Sequence, residues 1–240
     1  MPDMTRREFR ATVPGGELVG WVQGSGPRVL LLHGGPGLSF SYLDPLADEL
    51  GEGYEVASYQ QRGVQPSTAG SPYDVPTYIA DVAHVLDALR WDRATVVGHS
   101  WGGHLALYLA ARLADRVVAV LSVDPLGAVG DGGEQEFEAA IYERTPEEIR
   151  LRAQELDEQA LRGEGTVNQL EQSLRLVWPA YFPSWESAAP MPDITGSVAE
   201  SAARIPGAWV EVLDSAGHFP WYDAPGSVRR ALERLTGSAS

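Results

Sequence analysis

The stretch 96-VVGHSWGGHLAL-107 sets a single serine, Ser100, among glycines, between an apolar run and a run of helical periodicity. Upstream, 93-RATVVG-98 reads as a short buried strand, and downstream 104-HLALYLAARLA-114 reads as a helix. The match to G-x-S-x-G therefore falls in a strand–turn–helix context, where a serine can be lifted out on a tight elbow. Gly98 and Gly102 are required there because side chains at those positions would collide inside the turn. The alternative is a glycine-rich helix start with Ser100 as its cap. A serine hydroxyl is a weak nucleophile until a base takes its proton, so the groups that could activate it must be found elsewhere in the chain.

Working outward, 28-RVLLLH-33, 54-YEVASYQ-60 and 116-RVVAVLSV-123 repeat the signal of strands buried on both faces. Helix-period segments lie between them at 41-SYLDPLADEL-50, 75-VPTYIADVAHVLDALR-90 and 100-SWGGHLALYLAARLA-114. Two half-exposed strands, 7-REFRATV-13 and 17-ELVGWVQ-23, precede them as a hairpin turned at 14-PGG-16. Strands alternating with helices predict an α/β fold, a doubly wound and mostly parallel sheet. The chain is expected to close with a strand at 208-AWVEVLD-214 and a helix near 224-APGSVRRALERL-235, with Pro225 in its first turn.

The region from Gly127 to Pro190 breaks this rhythm. It is rich in Glu, Gln and Arg and reads as three helices, 134-EQEFEAAIYERT-145, 146-PEEIRLRAQELDEQALRG-163 and 166-TVNQLEQSLRLVW-178, with no buried strand. An all-helical insertion is most simply a cap over the strand ends, where such sheets bind ligands. The expected organisation is thus a core at 1–126, a helical cap at 127–190 and the rest of the core at 191–240.

Composition sets the outer bounds. The 240 residues carry 33 acidic and 18 basic side chains, all of the latter arginine, for a net charge of −15. That acidity argues against nucleic acid as a partner, since phosphates would be repelled. It is read first as solubility, and secondarily as attraction for a cationic substrate. Without cysteine there are no disulfides or thiolate metal sites. No apolar run approaches the roughly 18 residues that span a bilayer, and the first thirty residues lack the apolar core of a secretory signal. A cytoplasmic protein without membrane contact, cofactor or metal is the expectation.

Two further motifs complete the chemistry. The loop 33-HGGPG-37 follows a buried strand and can aim backbone N–H groups at a developing oxyanion, with the N–H of Trp101 as second donor. A plain strand–helix turn is the competing reading. His218, in 215-SAGHFPWYDAP-225, sits on a turn at the same sheet edge as the elbow, where it can act as general base and then general acid. His33 is read as ordering the oxyanion loop, and His84, His99 and His104 as structural. Trp178, Tyr181 and Phe182 are candidates for an acyl pocket or for cap core. Glu134, with Glu136 and Glu138, is a candidate for binding an ammonium group or a solvated helix face.

The combination of HGGPG, QQRGVQPS and GHSWGG resembles the α/β-hydrolase fold and, within it, the proline iminopeptidase-like branch (peptidase family S33). The resemblance implies Ser100 as nucleophile, His218 as base, and Gly35 and Trp101 as oxyanion donors. Gln60 stands where the branch usually has aspartate. The resemblance also implies a further strand ending in G-x-x-D, whose aspartate completes the triad. Here the link 183-PSWESAAPMPDITGSVAESAARIPG-207 has no apolar run of four residues. The expectation is therefore that the penultimate strand is missing and that 184–207 is mostly loop with a short helix near 197–204. The acid must then come from elsewhere. Asp124 ends the strand after the nucleophile helix, 24 residues beyond Ser100, an interval similar to that of haloalkane dehalogenases in the same fold. Asp193 is the runner-up. A third reading has Asp124 only turning the chain before Pro125, with Ser100 and His218 working as a dyad.

The expected function is a serine hydrolase on a small-molecule amide or ester, aminopeptidase-like and accepting a free amine. The alternatives are an esterase, lactonase or thioesterase of secondary metabolism, and a catalytically silent binding protein. Oligomeric state is left open.

Overall fold

The computed structural model describes residues 5–35, 38–125, 134–161, 167–182, 185–188, 213 and 216–237. Among them, six strands form one sheet: β1 (Arg7–Val13), β2 (Gly16–Gly24), β3 (Arg28–Leu32), β4 (Glu55–Tyr59), β5 (Ala94–His99) and β6 (Val117–Val123). Their order is β1-β2-β4-β3-β5-β6. The hairpin β1–β2 and the β2–β4 pair are antiparallel, whereas β4, β3, β5 and β6 run parallel. The doubly wound, mostly parallel sheet expected from the alternating pattern is present.

Helices cover both faces, as parallel strands require. Val29 and Leu31 of β3 face α1 (Asp44–Gly51) and α8 (Ser227–Thr236), while Leu30 and Leu32 face α2 (Val75–Ala88) and α3 (Trp101–Arg112). This period-two division explains why LLL had to be wholly apolar. Between β6 and the C-terminal helices lie α4 (Glu134–Arg144), α5 (Glu147–Leu161) and α6 (Val167–Val177), followed by a 3-10 turn at Trp178–Tyr181. None of the described helices is long and apolar enough to cross a membrane.

The structure departs from the sequence-based expectations in three places. First, β6 is not buried on both faces: Val118 is 56% exposed. Second, Pro225 precedes α8 rather than opening it; Gly226, in the left-handed region, occupies the N-cap. A short unexpected helix, α7 (Pro220–Asp223), takes Pro220 at its first position instead. Third, a 3-10 turn at Phe40–Leu43 precedes α1. The expected last strand at 208–214, the missing penultimate strand and the short helix near 197–204 lie outside the described residues.

Candidate active site

Ser100 stands where β5 hands over to α3, with φ 55° and ψ −122°. A non-glycine residue in that region costs about 1–3 kcal/mol and persists only where its surroundings enforce it. The enforcement is steric and hydrogen-bonded. A Cβ on Gly98 would lie 2.1 Å from the Gly102 carbonyl oxygen, and one on Gly102 would lie 2.1 Å from that of Leu32. The Ser100 N–H donates to the Val123 carbonyl at 3.0 Å, which fastens the elbow to the end of β6. Ser100 occupies the N-cap of α3 but its side chain makes no capping bond, so the cap reading of this serine fails.

The bond from Ser100 to Val123 sets Asp124 one residue beyond the elbow. Asp124 has φ 42°, a left-handed conformation that Asp tolerates better than most residues. Its Oδ2 accepts a short hydrogen bond from His218 Nδ1. The Asp124 side chain is 43% exposed. Asp124 directly follows the last residue of β6. His218 itself is buried. Its main chain is held from two sides: its N–H donates to the Tyr181 carbonyl at 2.8 Å, and its own carbonyl accepts from His99 Nε2 at 2.7 Å.

The glycine loop after β3 is ordered by His33 and by the middle motif. His33 Nδ1 donates to the Gly34 carbonyl at 2.7 Å, and its Nε2 accepts from the Gln61 main-chain N–H at 3.0 Å. Burial lowers the His33 pKa to about 4, so the ring is neutral with its proton on Nδ1. The Gln61 side chain donates to the His33 carbonyl at 2.8 Å and accepts from the Trp101 indole at 3.1 Å. Gln60, in the aspartate position of the motif, donates to the Leu38 carbonyl at 2.5 Å and to His33 Nε2 at 3.2 Å, and accepts from the Phe40 N–H at 3.1 Å. An aspartate could make none of the donations. Gly35 has φ +106°, a conformation open to glycine. Trp101 is the first residue of α3, so its amide has no acceptor within the helix.

Ser100, His218, Asp124, Gly35 and Trp101 thus gather at one end of the sheet. Trp178, Tyr181 and Phe182 are also drawn there, and all three are buried in one cluster with Phe219. The Tyr181 ring lies 5.5 Å from that of His218, and Trp178 lies 5.0 Å from Phe219. The Glu134, Glu136 and Glu138 side chains and the whole of Asp193 lie outside the described residues. Sequence reasoning missed Tyr42, whose hydroxyl accepts from the Gly34 N–H at 2.5 Å and donates to His99 Nδ1 at 2.8 Å.

The fold and this elbow define an α/β hydrolase, and the chain belongs to that family: the family profile described as alpha/beta hydrolase fold matches residues 27–163. Among curated relatives, a serine hydrolase-like protein of Danio rerio is 36% identical over 125 residues, covering 50% of this chain and 38% of that one. Epoxide hydrolase B of Mycobacterium tuberculosis is 35% identical over 101 residues, or 41% of this chain and 28% of that one. These matches span well under half of either relative. The esterase YbfF of Escherichia coli aligns over nearly the full length, at 26% identity, 86% of this chain and 91% of the esterase. The crystal structure of a hydrolase from Pseudomonas aeruginosa superposes with a TM-score of 0.63 at 19% identity, covering 98% of this chain and 99% of that one, a likeness of fold.

Proposed function

We propose that this chain is a serine hydrolase that cleaves a small carboxylic ester through an acyl-enzyme on Ser100. The observation that carries the reading is the His218–Asp124 hydrogen bond at the edge where the strained elbow presents Ser100. In this reading His218 Nε2 takes the hydroxyl proton as Oγ attacks the carbonyl carbon, and the carbonyl π pair moves onto oxygen. Asp124 holds the proton on Nδ1 and offsets the charge of the imidazolium. The N–H groups of Gly35 and Trp101 receive the oxyanion. Collapse of the tetrahedral species expels the alcohol, which takes the proton back from His218. Water then enters by the same route and frees the acid. Helices α4–α6 act as the cap, and the aromatic wall of Phe137 and Tyr181 beside His218 favours an apolar acyl group.

Ester is preferred over epoxide on chemical grounds. A serine that opened an epoxide would be left as an alkyl ether, which has no carbonyl for water to attack, so the enzyme would not turn over. The near full-length alignment with an esterase supports the same choice. The aminopeptidase-like alternative rests on the QRG motif and the acidic helices and needs an ammonium-binding carboxylate. The test is a series of acyl p-nitrophenyl esters beside aminoacyl p-nitroanilides, with fluorophosphonate labelling, on wild type and Ser100→Ala. Ester turnover and labelling are expected in wild type. Both should fall by roughly 10³-fold or more in Ser100→Ala. Turnover by Ser100→Ala near the wild-type rate would overturn the serine mechanism, and preference for anilides would select the aminopeptidase reading.

A further inference from the structure

We propose that His99 is a positioning residue for this reaction, holding the oxyanion loop, the nucleophile elbow and the main chain of the base at fixed mutual distances. The proposal rests on the serine-hydrolase reading above. His99 directly precedes Ser100, is 1% exposed, and packs its ring 4.6 Å from that of His218.

The hydrogen bonds around it have one possible direction. The Gly34 N–H can only donate, so the Tyr42 oxygen accepts it. The single hydroxyl proton of Tyr42 then goes to His99 Nδ1. His99 must therefore be neutral with its proton on Nε2, and that proton goes to the His218 carbonyl. Burial and the neighbouring His218 depress the His99 pKa well below the usual histidine value, which keeps a second proton from setting two donors against each other at Tyr42. The chain runs from the residue before Gly35, through the residue before Ser100, to His218 itself. Tyr42 and His99 are 57 residues apart in sequence and His99 and His218 are 119 apart. The ring of His99 thus ties three separate segments that the reaction needs in register. Misplacement of reacting groups by about 1 Å can cost about 10²-fold in rate.

The test compares three variants with wild type, reading kcat, KM, the fluorophosphonate labelling rate and the melting temperature. His99→Phe keeps an aromatic ring among Phe219 and Trp221 and removes both bonds. His99→Gln keeps an amide able to donate toward the His218 carbonyl. Tyr42→Phe deletes one hydroxyl. In His99→Phe, kcat and labelling rate should each fall about 30- to 100-fold while KM stays within about threefold. His99→Gln should recover most of that loss, and Tyr42→Phe should lose about tenfold. A residue that merely fills space would give equal losses in His99→Phe and His99→Gln, and that result overturns the proposal. So does wild-type kcat in His99→Phe. If His99→Phe does not fold, Tyr42→Phe decides, because wild-type labelling in that variant also overturns it. Failure of the underlying reading looks different: a wild type that neither labels nor turns over removes both, whereas a labelled wild type with unaffected variants removes this proposal alone.

Discussion

At the scale of single residues, Asp124 carries the sharpest consequence. Its carboxylate is the group bonded to His218 Nδ1, so Asp124→Asn replaces a charge with an amide that cannot offset an imidazolium. Loss of kcat by roughly 10³- to 10⁴-fold is expected, with little change in melting temperature, since the side chain is half in solvent. Asp193→Asn should turn over as wild type. Unchanged kcat in Asp124→Asn would leave a serine–histidine dyad instead. The elbow position of Ser100 could be read from sequence because glycine spacing is a local signal, whereas the choice of Asp124 leaned on the resemblance and on its place at the end of a strand. Tyr42 could not be. It sits in SYLDPLADEL, which presents only helical periodicity, and its two polar contacts reach residues distant in sequence or across a turn. His99 was visible as a residue but not as a joint, because a histidine before a nucleophile has no pattern that distinguishes packing from hydrogen bonding.

At the scale of elements, the strand–elbow–helix unit works because backbone approaches backbone. Gly102 brings the start of α3 against the end of β3, where an added Cβ would meet the Leu32 carbonyl carbon at 2.5 Å and the His33 oxygen at 2.7 Å. None of these atoms can rotate away. Gly102→Ala is therefore expected to destabilise the fold by about 3 kcal/mol or more, read as the shift in urea midpoint, and to slow labelling of Ser100. A variant with wild-type stability would show that the helix start can slide without cost. The parallel strands were legible because strands buried on both faces must be apolar throughout. The exposure of Val118 on β6 was not, since VVAVLSV has the composition of an interior strand. Pro225 misled for a related reason: proline fits a first helical turn and the loop before it equally well, and Pro220 held the other place.

For the whole molecule, two fully buried histidines make stability depend on pH. Folding lowers the pKa of His33 from 6.5 to about 4, and that of His99 well below 6.5, in both cases mainly through burial. Between these values the unfolded chain binds protons that the folded chain refuses, so stability is complete above about pH 6.5 and falls as pH drops toward 4. Each group contributes a slope of about 1.4 kcal/mol per pH unit inside its window, or about 3 kcal/mol in all for His33. The check is urea unfolding from pH 7.5 to 4.5. The curve for His99→Gln should be flatter than wild type by one such slope, and parallel curves would mean that His99 is protonated in the folded state. The class of fold was legible at this scale from alternation alone. The closing of the helical segment onto His218 was not, because a main-chain bond to the Tyr181 carbonyl leaves no trace in residue type.

That bond has a mechanical meaning. The His218 amide is fastened to the turn at Trp178–Tyr181, so raising this turn from the sheet would break that bond and leave His218 held by His99 and Asp124. In the proposed mechanism the aromatic turn and the base are thus joined through a single peptide group. A substrate that entered by lifting this turn would therefore meet a histidine with one of its three tethers gone.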